Sequence, residues 1–395
     1  MSRILMLEEG PGFGGALMSL KCLLDNADAN DYSFHLITNY AQDYILAQNN
    51  VKDVVLLPRS RLYGKNKFLE KNLRFVLGQK SGPVAYLIDR CTYCHAYVNK
   101  VTRYIKDNKI DLVHLNNWPL LNDGGLFAAK KAHVPVVMHI RGMEYNSKLI
   151  SWIANKADHI IAISEFINQQ ILELGVPQNK ISVIPNAVDT NTFIKSANGK
   201  QFKKTVGLPL DVQIVGMAGC LVDWKGHKFF IEACAKVFKN TSAHGLIIGD
   251  TPNGSPSFGN DLRNFAKNLG VLDRIHFVGH RIDISSAMDA CDILVHASIL
   301  PEPFGRVIIE GMALGKPVVA TSPGGPSEII DDKIDGLLIP PSDSSALAQA
   351  IDFLLQNKQF RHKLGDRAKN KIKDKYDVKS YTDGITTVYK NILER

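Results

Sequence analysis

Thirteen short apolar runs, alternating with helical patterns and polar turns, constrain this chain more than any other feature. Seven lie in the first half: R-I-L-M-L, S-F-H-L-I-T, V-V-L-L, L-V-H-L, V-V-M-H-I, H-I-I-A-I-S and I-S-V-I-P-N. Six follow in the second: Q-I-V-G-M-A-G, G-L-I-I-G-D, I-H-F-V-G-H, I-L-V-H-A, P-V-V-A-T and G-L-L-I-P. Helical patterns stand between them, as at Gly15 to Leu24, Ala96 to Asp107 and Glu165 to Leu174. Strand and helix in this rhythm predict parallel sheets covered by helices on both faces. Ligands of such sheets lie beyond the carboxyl ends of the strands. At 395 residues the chain is long enough for two cores. Thr190 to Pro209, rich in Asn, Lys and Gly and without a strand signal, is expected to be the linker. Val378 to Arg395 reads as a final helix, with Tyr381, Ile385, Val388, Tyr389 and Ile392 on one face.

Apolar residues make up 45% and charged residues 22%, the balance of an ordinary globular protein. No apolar run approaches the ~20 residues of a membrane span, and the start M-S-R-I-L-M-L-E-E is too short and too acidic for a signal peptide. A cytoplasmic location is expected, with six scattered cysteines as thiols. The net charge of +8 is uneven: Val51 to Ile110 holds thirteen Lys or Arg against four acids, a net +9. That is either a solvated basic face or an attractor of anionic lipid and polyanionic substrates. Nucleic acid is disfavoured, because no nucleic-acid module accompanies the charge.

The chemistry concentrates between His296 and Ile330. Pro301 and Pro303 bracket Glu302; Phe304-Gly305 leads into a helix; Glu310 follows about one and a half turns later. Eight positions along one helix would leave the two carboxylates ~80° apart, so they become neighbours only if Glu302 precedes the helix. Pro303 favours that, since proline suits a helix entrance. The amides of Phe304, Gly305 and Arg306 are then free to meet a phosphate. Glu310 lies in V-I-I-E-G-M-A-L, too apolar a helix for a simply solvated acid. Gly315 and Pro317 end the helix, and V-V-A-T leads to a second glycine turn, Gly324-Gly325, and to Glu328. A second strand-to-helix loop, Ala218 to Lys228, offers Gly219 for a tight turn and the Lys225 ammonium.

E-P-F-G-R-V-I-I-E-G-M-A-L-G-K-P-V-V-A, with C-L-V-D-W-K-G, I-P-N-A-V-D and F-V-G-H-R, resembles the retaining, nucleotide-sugar-dependent glycosyltransferases of family 4, GT-B fold. The resemblance is dense from about Lys180 to Ser342 and diffuse over Met1 to Asn179. It implies an α/β chain of two Rossmann-like domains facing across a cleft. Residues 1–190 would bind the acceptor, with helix 378–395 packing back on them, and 191–377 would bind the donor. Carried over by position, Glu310 binds the ribose hydroxyls, Glu302 the hydroxyls of the donor sugar, and Phe304 and Gly305 supply backbone to the donor. Lys225 neutralises the diphosphate, Arg281 lies in the loop that meets the nucleobase, and Gly14 and Gly15 form the glycine loop of the first domain. His139 matches a histidine close to the reacting sugar, so Glu302, His139 and Lys225 form the expected catalytic set. Arg306 and Gly219 complete the donor side, and Arg141 and Trp118 stand on the acceptor side. His139 and Arg141 also read as an ordinary strand end, and Trp118 as a core residue.

One departure matters: Cys220 stands where relatives carry arginine. Loss of a preorganised donor to a developing oxyanion costs about 2.7–4 kcal/mol; either another cation offsets it, Arg306 and Lys228 being the nearest in sequence, or turnover is slow, or the donor differs. Two other patterns carry nothing. G-P-G-F-G-G-A at Gly10 lacks the G-x-G-x-x-G spacing, and no acid ends the second strand, so no dinucleotide is expected. C-T-Y-C-H at Cys91 fits haem attachment only in an exported chain, and no second Cys/His pair makes it a zinc site.

The expected activity is retaining hexosyl transfer from a nucleotide-diphosphate sugar to a saccharide or lipid-linked saccharide, in bacterial cell-surface polysaccharide or lipopolysaccharide assembly. No D-x-D occurs in the chain, so no metal or other cofactor is expected. The expected place is the cytoplasm, with the inner face of the cell membrane open as a peripheral surface. The alternatives are a catalytically weak sugar-nucleotide binder, suggested by Cys220, and another GT-B enzyme. The E-x7-E stretch disfavours an epimerase, and a phosphorylase would need a pyridoxal-binding lysine for which no motif is present.

Overall fold

A computed structural model describes residues 1–9, 14–39, 51–57, 94–142, 147–251 and 257–394. Gly10, Gly12, Cys91 and most of the basic Val51–Ile110 stretch lie outside them. The chain divides into two units. The first comprises Met1–Ile163, Ile167–Ile184 and Thr382–Arg395, and the second Ser164–Phe166 and Pro185–Tyr381.

The first unit is built on seven parallel strands: β1 (Ser2–Glu8), β2 (Tyr32–Thr38), β3 (Val51–Leu56), β4 (Leu112–Asn116), β5 (Val136–Ile140), β6 (His159–Ala162) and β7 (Ile181–Val183). Their order is β3-β2-β1-β4-β5-β6-β7. The second unit holds β8 (Ile214–Ala218), β9 (His244–Ile248), β10 (Ile275–Phe277), β11 (Ile293–His296), β12 (Val318–Thr321) and β13 (Leu337–Ile339), in the order β10-β9-β8-β11-β12-β13. Both sheets are Rossmann-like: strand order reverses between β1 and β4 in one and between β8 and β11 in the other. Loops on either side of such a reversal diverge and leave a crevice at the carboxyl ends of the strands. Every apolar run of the sequence is a strand. The central ones are buried on both faces, which explains why they read as continuous rather than alternating apolar runs.

Thr190–Pro209 is not a linker. It forms helices Thr190–Lys195 and Gly199–Thr205, whose N-termini are capped by the side chains of Asp189 and Asn198. Asp289 accepts from the Gly199 amide at 2.8 Å, Ser286 from that of Asn198 at 3.0 Å, and Ser196 meets Ser285 at 2.9 Å. Phe202 and Leu208 are buried. Asn198 is a helix cap, as is Asp189 just ahead of the segment, and the segment packs on the helix Ile284–Asp289 of its own unit.

Within the first unit the terminal helix Val378–Leu393 sends Tyr389 into the core, where its hydroxyl lies 2.7 Å from His114 Nδ1 and its ring packs edge-on against that of Tyr32. Burial pushes the His114 imidazole down to about 3, so the ring is neutral and shares one hydrogen bond with the phenol. Tyr389→Phe leaves a buried ring nitrogen unpaired and is expected to cost about 1–3 kcal/mol, read as a lower midpoint of chemical denaturation.

Candidate active site

The second unit gathers its polar residues beyond the carboxyl ends of β8, β11 and β12. From His296, at the end of β11, the chain runs to Glu302, which pairs with Gly324 in an isolated parallel bridge; Gly325 N–H donates to the Glu302 carbonyl at 2.8 Å. No side chain fits at this contact. A Cβ on Gly324 would stand 2.5 Å from the Glu302 carbonyl oxygen, and one on Gly325 would overlap the Phe304 backbone. Gly324-Gly325 is therefore the floor on which the Glu302–Phe304 backbone lies. Phe304 is buried, edge-on to Tyr376. Gly305, at φ 98°, turns the chain into the helix Arg306–Ala313. That conformation favours glycine, and it leaves the helix without a side-chain N-cap, so its first amides remain available to an anion.

Glu302 precedes the helix, as Pro303 implies. Its Oε2 accepts from Lys225 Nζ at 2.6 Å, Ser298 Oγ at 2.9 Å and His296 Nε2 at 3.0 Å. Burial opposes its ionisation, but the Lys225 ammonium and then the His296 contact outweigh it and hold the carboxyl well below the usual carboxylate range. Glu310 is the opposite case. Arg306 Nε reaches its Oε1 at 2.8 Å, while Arg306 Nη1 is tied to the Ala187 carbonyl at 3.0 Å. Burial exceeds the arginine's effect and raises the Glu310 carboxyl above its ordinary value.

Lys225 sits in a 3₁₀ turn, Asp223–Lys225, ahead of the helix His227–Val237 rather than on it, with its ammonium 4.1 Å from the centre of the Trp224 ring. Gly219 follows β8, its amide bound to the Ile248 carbonyl. Cys220 is exposed and its thiol turns to the Asp250 carbonyl at 3.4 Å. Arg281 lies beyond β10, in a bidentate pair with Asp283 at 2.8 Å on both arms. Glu328 is a structural cap: its carboxylate accepts from the amides of Glu165 and Phe166, which belong to the same unit.

The remaining expected residues are in the first unit. Gly14 and Gly15 open the helix Gly15–Asn26 after β1, again without a side-chain cap. Trp118, after β4, packs against the backbone of Gly142, where a Cβ would overlap the indole. His139 is the fourth residue of β5 and is buried; Arg141 just beyond reaches back so that Nη2 lies 3.2 Å from His139 Nδ1.

Sequence reasoning left several site residues without a role. His296 and Ser298 form, with Lys225, the donor set of Glu302; their signal was H-A-S at a strand's carboxyl end. Glu8 and Glu9, at the end of β1, are buried: Asn116 and Asn117 donate to Glu8, and the Tyr97 hydroxyl to Glu9. Two acids closing an otherwise apolar central strand were visible in the sequence, but not their partners, more than 80 positions away.

Sequence comparison agrees with this geometry. Residues 14–192 match the model of Glycosyltransferase Family 4, and residues 199–371 that of Glycosyl transferases group 1. An uncharacterized glycosyltransferase of Methanocaldococcus jannaschii is 25% identical over 306 residues, covering 73% of this chain and 77% of that one. The chain belongs to the family 4 glycosyltransferases of GT-B fold. Escherichia coli UDP-Gal:α-D-GlcNAc-diphosphoundecaprenol α-1,3-galactosyltransferase is 27% identical to this glycosyltransferase, covering 73% of it and 77% of the E. coli enzyme. In fold it is similar to Anabaena HepE crystallised with UDP and glucose, with TM-score 0.78, 24% identity, and 99% of this chain and 100% of that one covered. A Rickettsia africae glycosyltransferase gives TM-score 0.80 at 23% identity, over 100% and 99% of the two chains.

The opposed shifts of the two glutamates have opposite consequences for stability. Glu302, with a lowered folded-state pKa, contributes stability that is present above about pH 4.5 and lost as pH falls toward the folded value. Glu310, with a raised one, costs stability as pH rises from 4.5 through its folded value. Glu302→Gln is therefore expected to lower stability at pH 7 by about 1.5–3 kcal/mol, while Glu310→Gln leaves it unchanged or higher in the ligand-free protein. Chemical denaturation at pH 7 and pH 5 reads both.

Proposed function

We propose that this glycosyltransferase moves a sugar, with retention at the anomeric carbon and without a metal, from a nucleotide-diphosphate sugar to a saccharide or lipid-linked saccharide. The observation that carries the reading is the helix Arg306–Ala313: it opens uncapped at Gly305, with the Lys225–Glu302 pair ahead of it and buried Glu310 within it. An uncapped helix N-terminus and an ammonium suit a diphosphate. A carboxylate in an otherwise apolar helix suits paired hydroxyls such as those of ribose. A UDP-sugar is the first donor to test, because HepE is crystallised with UDP and with UDP-glucose.

In this reading the bond between anomeric carbon and phosphate oxygen breaks with its electron pair passing to the leaving diphosphate. The amides at Gly305 and the Lys225 ammonium stabilise that charge as it grows. The acceptor hydroxyl bonds to the anomeric carbon on the same face and gives its proton to the departing phosphate. A covalent intermediate on Glu302 is the competing course. The three donors on its Oε2 favour a carboxylate that holds over one that attacks. A glycosyl adduct trapped on Glu302 would overturn this mechanism, and an inverted product would overturn retention.

Assembly of bacterial cell-surface polysaccharide or lipopolysaccharide is the proposed setting. The E. coli relative is named for a diphosphoundecaprenol-linked acceptor, and a Rhizobium meliloti relative, 28% identical over 240 residues, for lipopolysaccharide core biosynthesis. Among the described residues no helix is long and apolar enough to cross a membrane. The net +9 of Val51–Ile110 supports peripheral attachment to an anionic surface at the inner face of the membrane. Sedimentation that favours anionic over neutral vesicles is expected; equal binding to both counts against it.

One observation favours a second reading, a binder with weak turnover: Cys220 brings a thiol, not a cation, to the donor loop. Titration calorimetry with product detection separates the two readings. For the principal one, thermal shift with UDP-, GDP- and ADP-glucose is expected to show stabilisation by one nucleotide, about 2.7 kcal/mol at a hundredfold excess over Kd. Glu310→Ala should abolish the shift, and chelator should leave turnover unchanged. No stabilisation by any nucleotide sugar would refute the reading.

A further inference from the structure

One short helix of the first unit carries apolar side chains on both of its faces. Lys148–Ala154 comes after β5, and its Ile150, Ile153 and Ala154 are buried in the core. The opposite face of such a helix is ordinarily polar. Here it holds Leu149, 39% exposed, and Trp152, 50% exposed, three positions apart and therefore adjoining. An indole half in water departs from the high average burial of tryptophan. Cations flank the pair. The Lys156 ammonium lies over the Trp152 ring, 4.3 Å from its centre, and Lys148 stands one turn before Trp152 on the same side of the helix. On the neighbouring helix Asp123–Ala132, the Phe127 ring is centred 5.9 Å from that of Trp152, and Lys131 follows Phe127 by one turn. Asp158, close by in sequence, is already bound to Lys130 at 2.7 Å. Among the described residues no carboxylate pairs with Lys131, Lys148 or Lys156.

The chemistry of the patch selects its occupant. A sugar stacks on an open ring face, and one face of Trp152 is taken by Lys156. A protein partner or a second copy needs about 800 Å² per side, which two half-exposed side chains do not approach, and the cores of such interfaces are depleted in lysine. An anionic lipid surface uses both features at once. Indole rings settle at headgroup depth, with one end apolar and the other wet. Lysine lays its stem along apolar surface and turns its ammonium to the phosphates. We propose that Leu149 and Trp152 insert into the headgroup layer of an anionic membrane, with Lys131, Lys148 and Lys156 held by its phosphates. The proposal rests on the reading of peripheral attachment and gives it a site outside the basic Val51–Ile110 stretch; it does not depend on the transfer chemistry. Two apolar side chains and three lysines make a reversible contact, far short of a permanent anchor.

The test mixes the full chain with vesicles of phosphatidylglycerol and phosphatidylcholine whose acyl chains are brominated near the headgroup. Bromine quenches only indoles that lie close to it, and the chain has three: Trp118, Trp152 and Trp224. Quenching of the wild type is expected, and its loss in Trp152→Phe assigns it to Trp152. Cosedimentation is read in parallel. Trp152→Ser, and the double variant Lys148→Gln/Lys156→Gln, are each expected to weaken binding to the anionic vesicles at least ~10-fold. Protein that sediments with these vesicles while Trp152 stays unquenched overturns this site and leaves peripheral attachment standing. Quenching that persists in Trp152→Phe overturns it as well. A wild type that sediments with neither anionic nor neutral vesicles overturns both the site and the attachment, and leaves the transferase reading untouched. A wild-type dimer that dissociates in Trp152→Ser would give the patch to a second copy, and the proposal fails.

Discussion

The candidate site depends first on one backbone contact, the packing of Gly324-Gly325 beneath Glu302–Phe304. This contact fixes the height of the Glu302 loop above the sheet and sets where Gly305 turns into its helix. It also sets the separation of the two glutamates, one held by a loop and the other by a helix. Any side chain at Gly325 would lift the Phe304 backbone and with it the uncapped helix start. A site that must hold a diphosphate with fixed dipoles gains from such rigidity, because dipoles already in place need no reorganisation during reaction.

On that frame the charges are paired within the unit. Glu302 is satisfied by Lys225, His296 and Ser298, and Glu310 by Arg306. The cation of the proposed diphosphate site, Lys225, is thus oriented by a carboxylate before any ligand arrives. Glu302 remains ionised because its donors outweigh burial, and Glu310 is harder to ionise than an ordinary glutamate because one arginine does not offset its burial. Two carboxylates eight positions apart are placed in different electrostatic environments by the loop-to-helix transition between them, which suits the one to an ionic contact and the other to hydroxyl groups.

Much of this was legible in the residues. Strands buried on both faces announce themselves as short apolar runs, and all thirteen were visible. Pro303 placed Glu302 ahead of the helix because proline lacks the amide that a helix interior needs. What stayed hidden was long-range. Asn198 looked like linker polarity and is a cap, a distinction made by its hydrogen bonds and not by its identity. His296 and Ser298 touch Glu302 only because the chain folds back across the end of β11. The hydrogen bonds that link Glu8, Asn116, Arg141 and His139 join the ends of three strands. The Lys225 ammonium was visible in its strand-to-helix loop, but its partner Glu302, 77 positions away, was not.

The central claim is that the Lys225 ammonium and the amides at Gly305 hold the diphosphate of a sugar nucleotide. Titration calorimetry of UDP into the wild-type chain and Lys225→Met tests it most directly, with circular dichroism confirming that the variant is folded. The account predicts wild-type binding and a loss of at least ~10-fold in affinity for Lys225→Met, the worth of one charge-assisted hydrogen bond. Equal affinity of wild type and variant for UDP would contradict it.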